Sequence, residues 1–398
     1  MGRSTNIGKL FAILPQEITT STPAIMASSI SAPVAIRPGD PLELGREPVS
    51  FGRNILVQTG PTFALQPRLF VNDPWELIAE GIQRALPDTR TRDIAQAFRR
   101  QAEDYFRAAT IGRDVGVRPV LLYYAFLNLS KAYAIAKGNT KLAGKSQHGI
   151  SADYKPKAIP GSRIKFRKQG VFQELLQLLD GNPKILDSDL RLGHLLPQIL
   201  PGHRLWRYAT ERPERFLTVE KFEVINSVPT KEVWLNIYLN KRDLDRIGIS
   251  EVNALSDGDF AREFEVVSEF PSHDLVCFQQ RTPDVYRADP GEALALIIRR
   301  TRNRIWETVK IVSPYRKHYI YCCPSTERRA RLPQMLSIYL LMFFFGSVTR
   351  YAPLYFEDLL ESKYGPLFET LISESPMQFL YLMASDILGR EVSKPAII

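Results

Sequence analysis

The chain has 398 residues, 44% of them hydrophobic, enough for about two or three packed units with a large core and no covalent staples. Its 52 Lys and Arg against 43 acids give a net charge of +9, a modest bias that suits nucleic acid as a partner and equally suits plain solubility. The three cysteines, Cys277 and the adjacent Cys322 and Cys323, match neither a disulfide framework nor a spaced zinc site, and they point to a reducing cytoplasm.

Residues 1–50 are rich in Ser, Thr, Pro and Ala without a sustained period and read as an extended or disordered arm. The apolar run Leu10 to Leu14 stops at Pro15, short of an export signal. Residues 51–72 carry short runs, Ile55-Leu56-Val57 and Arg68-Leu69-Phe70, that predict strands entering the fold. Asp73-Pro74-Trp75-Glu76 has the carboxylate, proline and acid of a capped helix start. A second helix is predicted over 91–109, with Ile94, Ala97, Phe98, Ala102, Tyr105 and Phe106 inward and Arg92, Arg99, Arg100 and Glu103 outward. The segment from Val120 to Ala132 is apolar on nearly every side, as a central helix is, and Gly138 stops it. A short helix follows over 171–179.

The middle of the chain changes character. Residues 216–225, 232–239, 263–270, 274–280 and 317–322 are short, β-branched or aromatic, and partly alternating, and predict strands, with one helix over 291–306 between them. Helices return over 332–348, 353–363, 366–372 and 377–388. The Met335 to Val348 stretch is uncharged but falls short of the about 20 residues a membrane span needs, so it predicts a buried core helix.

The residues from Leu121 to Ala132 followed by His148-Gly149, the run Gly170-Val171-Phe172-Gln173-Glu174-Leu175, and the end of the chain from Met342 through Arg350-Tyr351-Ala352-Pro353 together resemble the YaaC-like proteins of bacteria. The resemblance spans about residues 70 to 390. It implies no particular reaction. A second likeness lies in Tyr105-Phe106, Tyr123-Tyr124-Ala125-Phe126 and the polar loop to His148-Gly149, which is similar to the helical core of HEPN-type proteins, many of them dimeric ribonucleases. The Arg-then-His pair of those nucleases is missing, since Lys141 but no Arg stands in the span before His148.

Chemistry has few candidates. His148, in a loop with Lys141, Lys145 and Ser146, is placed to act as a general base, against the alternative of a loop histidine bonded to backbone. Gly138 and Gly144-Lys145-Ser146 miss the phosphate-loop spacing by one residue and follow a helix rather than a strand. His194 and His203 lack spaced partners and read as solvated or capping residues, and Asp257-Gly258-Asp259 reads as a turn, so neither metal nor cofactor is expected. Asn128, Lys131 and Arg350 are further candidates. For Arg350 the competing reading is a guanidinium turned in to hold helix-end carbonyls. In Arg163-Ile164-Lys165-Phe166-Arg167-Lys168 strand alternation aligns Arg163, Lys165 and Arg167 on one face, which makes either a phosphate track or an edge strand kept soluble by its charges.

The expected fold is α+β and mainly helical. The helices of 73–205 and 326–398 form one bundle, and residues 206–325 form a strand-rich middle lobe. Three functions stay open: a nucleic-acid-associated protein with a HEPN-like core, binding RNA or DNA; a homodimeric interaction or scaffold module; and an enzyme of unknown reaction centred on the His148 loop. No membrane partner is expected.

Overall fold

In the computed structural model the described residues are 33–44, 47–49, 69–111, 116–144, 146–155, 158–179, 183–246, 263–268, 274–301, 305–307, 318–322 and 325–395. The runs Ile55-Leu56-Val57 and Asp257-Gly258-Asp259 lie outside them, as do Lys145 and Cys323. The part of the expected arm that is described is extended and docked. Its strands β1 (Asp40–Pro41), β2 (Glu43–Leu44) and β3 (Glu47–Pro48) form a strap, with β2 paired to β3 and β1 paired antiparallel to Asn226 and Ile225 of the strand over Phe216–Ser227.

Strand β4 (Leu69–Phe70) leads into helices α1 (Trp75–Ala85), α2 (Thr89–Ile111) and α3 (Arg118–Ala136). The Asp73 carboxylate accepts the Trp75 N–H at 3.1 Å, and Asp88 accepts the Thr91 N–H at 2.7 Å, so α1 and α2 each begin with a carboxylate on an amide that a helix leaves orphaned. The buried face of α2 is Ala95, Arg99, Ala102, Phe106 and Ala109, so the predicted stripe holds at Ala102 and Phe106 and partly at Ile94 and Phe98 but is rotated, leaving Ala97 and Tyr105 exposed. Arg99 turns inward because Glu103, one turn on, pairs with its guanidinium, and the alanines of that face let α2 lie close to α3. α3 is buried almost throughout, and Gly138 ends it with φ of +90°.

A three-stranded antiparallel sheet follows, ordered β5 (Ile150–Asp153), β6 (Arg163–Phe166), β7 (Leu190–Arg191). β6 is therefore the middle strand, which corrects the edge-strand reading: Ile164 fills the core side and both ladders are occupied. Helices α4 (Val171–Leu178) and α5 (Leu192–Leu195) pack against it, and α6 (His203–Thr210) follows.

The lobe is built on an antiparallel sheet of β8 (Phe216–Ser227), β9 (Glu232–Asn240), β10 (Phe264–Val266), β11 (Leu275–Gln280), the short β12 (Asp284–Val285), β13 (Ile305–Glu307) and β14 (His318–Tyr321). Its order is β10-β11-β9-β8-β14-β13, with β12 paired to β9 beside this path. The predicted strands correspond to β8, β9, β10, β11 and β14, β10 being shorter than its prediction. Helix α7 (Lys241–Arg246) caps one end, and α8 (Pro290–Thr301) buries Ala293, Leu294, Ile297 and Ile298 in the same apolar cluster as Phe222, Leu235 and Ile237 of the sheet. The predicted helix over 291–306 ends early. Ile305 and Trp306 pair with Ile320 and Tyr319 instead, so the backbone here joins the ladder of β14.

Helices α9 (Gln334–Tyr351), α10 (Pro353–Glu361) and α11 (Gly365–Leu388) close the chain with β15 (Val392–Ser393), which pairs in parallel with β4. The two helices predicted over 366–372 and 377–388 are one, running through Pro376. Proline removes one backbone bond, but Phe379, Leu380 and Met383 are buried immediately beyond it, and that packing outweighs the break. α9 is buried from Gln334 to Val348. No helix among the described residues is long and apolar enough to cross a membrane. Helices from both ends of the sequence share one apolar cluster: Phe126 of α3 stacks on Phe379 of α11 at 4.0 Å between ring centroids, and Tyr123 meets Phe343 of α9 edge-on at 5.3 Å.

Candidate functional site

The loop that carries His148 is fixed by its backbone. The carbonyls of Gln147 and His148 accept the first amides of α4, Val171 N at 3.0 Å and Phe172 N at 3.3 Å, and the Gly149 carbonyl accepts Arg167 N at 2.9 Å and Gln173 Nε2 at 2.8 Å. Two glycines make this possible. Gly149 (φ +81°) and Gly170 (φ +151°) stand back to back, each in a conformation that other residues rarely adopt.

Helix α3, the end of α9 and the segment just beyond β6 bring side chains to this loop. Tyr123 of α3 holds His148 Nδ1 through its hydroxyl at 2.5 Å. Arg350, at the end of α9, donates Nε–H to the Gly346 carbonyl at 3.0 Å and Nη1–H to the Tyr124 hydroxyl at 2.9 Å, and its guanidinium lies 5.8, 5.5 and 5.0 Å from the rings of Tyr123, Tyr124 and Tyr351. The reading of Arg350 as a holder of a helix carbonyl is thus realised, with an aromatic surround the sequence did not announce. Tyr124, Asn128 and Lys131 follow one another along one face of α3. The Lys131 ammonium sits 5.0 Å over the Phe98 ring, with no carboxylate partner among the described residues. Asn128 is 8% exposed and its amide makes no hydrogen bond to the described residues. The Ser146 hydroxyl, two residues before His148, is buried and has no hydrogen-bond partner among the described residues.

The charges around His148 are of one sign. Burial lowers its pKa, and Arg350, Lys131 and Arg167 lower it further, so the ring is neutral near pH 7. Burial also lowers the pKa of Lys131 and raises that of Tyr123, which keeps the Tyr123 hydroxyl protonated.

The cations of β6 divide between two roles. Arg163 lies 3.7 Å from Asp189 and Lys165 3.3 Å from Asp153, both in surface ion pairs, whereas Arg167 and Lys168, just beyond β6, are exposed without a carboxylate partner among the described residues, and Arg167 acts on His148. The histidine reading needs one correction. His203 is not solvated but 2% exposed: its Nδ1–H donates to the Pro197 carbonyl at 2.6 Å and its Nε2 accepts Arg215 N–H at 3.0 Å, which fixes a neutral tautomer. Burial lowers its pKa to about 4. An unfolded histidine binds its proton at about 6.5, so stability should fall as pH drops from 6.5 toward 4 and be fully present above that window. Urea unfolding of His203→Gln at several pH values checks this: the variant should be weaker at pH 7 and show a shallower loss through the same window. Burial likewise pushes the Cys277 thiol up to about 12, far from a reactive thiolate. Among the described residues no group of three His, Cys, Asp or Glu side chains comes together as a metal site.

Sequence reasoning selects His148, Lys131, Arg350 and Arg167 but misses Tyr123 as the partner of His148. Tyr123 is legible only as an apolar member of the central helix, and nothing in its spacing marks the contact with a residue 25 positions on. A family model described as YaaC-like Protein matches residues 62–387. No curated protein and no solved structure matches the chain.

Proposed function

The chain belongs to the YaaC-like family, and from that premise and the geometry at His148 we propose that it binds a phosphate-bearing ligand against Lys131, Arg167 and Arg350, with His148 as the proton-exchanging group. One observation carries the reading: the Arg350 guanidinium lies 5.8 Å from the ring of Tyr123, whose hydroxyl holds His148 Nδ1 at 2.5 Å, and Lys131 on the same helix has no carboxylate partner among the described residues. Like charges gathered on one half-buried ring cost free energy in the unliganded protein, and an anion relieves that cost. Two buried or half-buried donors, Asn128 and Ser146, are left over for the same ligand.

On this reading the helices of both chain ends act as one bundle that holds α3 and the end of α9 at a fixed separation. The Tyr123 hydroxyl donates to Nδ1 and so places the imidazole proton on Nε2, which donates to the anion. The bound anion raises the proton affinity of the ring. Affinity therefore rises as pH falls through the range in which liganded His148 is protonated and free His148 is not. The groups facing the ring are Tyr123 and Lys131 from α3, Arg167 beyond β6 and Arg350 from α9.

Calorimetric titration with inorganic phosphate and with a nucleoside monophosphate tests the proposal. Binding should be saturable, should take up protons when buffers of different ionisation heat are compared, and should weaken about tenfold or more in Lys131→Met, a loss of about 1.4 kcal/mol. Lys131→Met keeps the apolar stem over Phe98, so folding is spared. Absence of saturable binding of either probe, or an unchanged Kd in Lys131→Met, would overturn it.

A further inference from the structure

A second cationic surface lies away from the His148 loop, and it stands independently of the phosphate reading above. Helix α6 buries His203, Trp206 and Ala209 on its inner face, so helical geometry turns Arg204, Arg207 and Tyr208 outward together. The turn after it adds Arg212, and Lys363 comes in from the link between α10 and α11; together they line an open depression. The Tyr208 ring is 85% exposed and makes no contact with another ring among the described residues.

The charges there are unbalanced. Glu214 lies 3.6 Å from Arg207 and offsets it, but Arg204, Arg212 and Lys363 have no carboxylate partner among the described residues, and only Glu211 opposes them in the lining. Arg212 and Arg215 both sit over the indole of Trp206, at 5.9 and 5.2 Å, which anchors one edge of the patch to the core.

We infer that this surface binds single-stranded nucleic acid, Arg204, Arg212 and Lys363 contacting successive phosphates while a base stacks on Tyr208. The exposed ring favours this partner over an acidic peptide, which would use the cations and leave a large aromatic face in water. Every base has a π face, so recognition is indifferent to sequence and sensitive to salt. A duplex, its bases already stacked inward, would leave Tyr208 unused.

Fluorescence anisotropy of the full chain with a labelled oligouridine, an acidic peptide and a duplex of equal length tests the assignment. The single strand should bind tightest. Tyr208→Ala should weaken it roughly fivefold to a hundredfold, the range for loss of one stacked base. Arg204→Ser with Arg212→Ser should flatten the slope of log affinity against log salt by about 1.4, the contribution of two phosphates on a single strand. Lys131→Met should leave all of this unchanged. Preference for the acidic peptide or the duplex, full affinity in Tyr208→Ala, or loss in Lys131→Met would each overturn the assignment. An unchanged melting temperature in the surface variants separates lost binding from lost folding.

Discussion

Arg215→Met is expected to destabilise the protein by about 3–5 kcal/mol, the cost of leaving a buried carboxylate without its partner. The Arg215 guanidinium meets Glu327 at 2.7 and 3.3 Å and the Tyr321 hydroxyl at 3.1 Å, and both charged side chains are only 11% exposed. Removing the guanidinium strands Glu327 in a medium that penalises its charge. The double variant Arg215→Met, Glu327→Leu should recover most of the loss, because an apolar pair avoids the desolvation that the ion pair has to offset. In the single variant the gap to the wild type should narrow as pH falls, since a stranded Glu327 protonates more readily when folded than when unfolded. Denaturant midpoints of wild type and both variants at pH 7 and pH 5 measure this. A single variant within about 1 kcal/mol of wild type would show that the pair contributes no more than a surface salt bridge.

Gly170→Ala should cost on the order of 2–6 kcal/mol and abolish phosphate binding at the His148 loop, by the sum of two penalties. Its φ of +151° belongs to a region essentially closed to side chains, a penalty of about 1–3 kcal/mol. An added Cβ would also collide with Gly149 and lie 2.8 Å from the His148 carbonyl carbon, and relieving such overpacking costs a further 1–3 kcal/mol, roughly. The colliding atoms are backbone, so relief comes only by moving the loop and taking His148 away from Tyr123. Gly144 stands in the same connection, where a Cβ would meet nothing within 4 Å, and Gly144→Ala should fold and bind normally. Thermal melts with phosphate titration separate the two. Wild-type binding in Gly170→Ala would show that the glycine contact does not position the site.

Much of the fold is legible in the sequence because its strongest signals are local. A helix such as α3 or α9 that is apolar on every side has few fates other than burial, and the strands of the lobe carry β-branched and aromatic runs between turns. The differences fall where tertiary contacts outvote local preference. The charge of Arg99 predicts an outward side chain, and it is Glu103 that allows it in. Pro376 predicts a helix boundary, and buried neighbours carry the helix through. Ile305 and Trp306 continue a helical period, and the open ladder of β14 claims them. For the candidate site, His148 and Arg350 each stand out as polar residues in apolar surroundings. Their convergence does not, because it depends on a turn of backbone at Gly149 and Gly170 and on the packing of α9 against α3, and neither is written in the spacing of the residues concerned.

The waist between the helical core and the lobe bears on how such a chain is made. The polypeptide leaves the helices at Arg215 and returns at Cys322, and these two residues are joined by a backbone bond, Cys322 N to the Arg215 carbonyl, at 2.7 Å. The lobe is therefore an insertion whose ends already touch, so evolution can lengthen, trim or replace it without cutting the host. The strap has no such independence. Arg37 reaches Gln279 across 242 positions of sequence, so the strap emerges from the ribosome long before the sheet that receives it. During that interval it is an unoccupied strand waiting for its ladder, the window in which a chaperone or a neighbouring chain has its best opportunity to claim it.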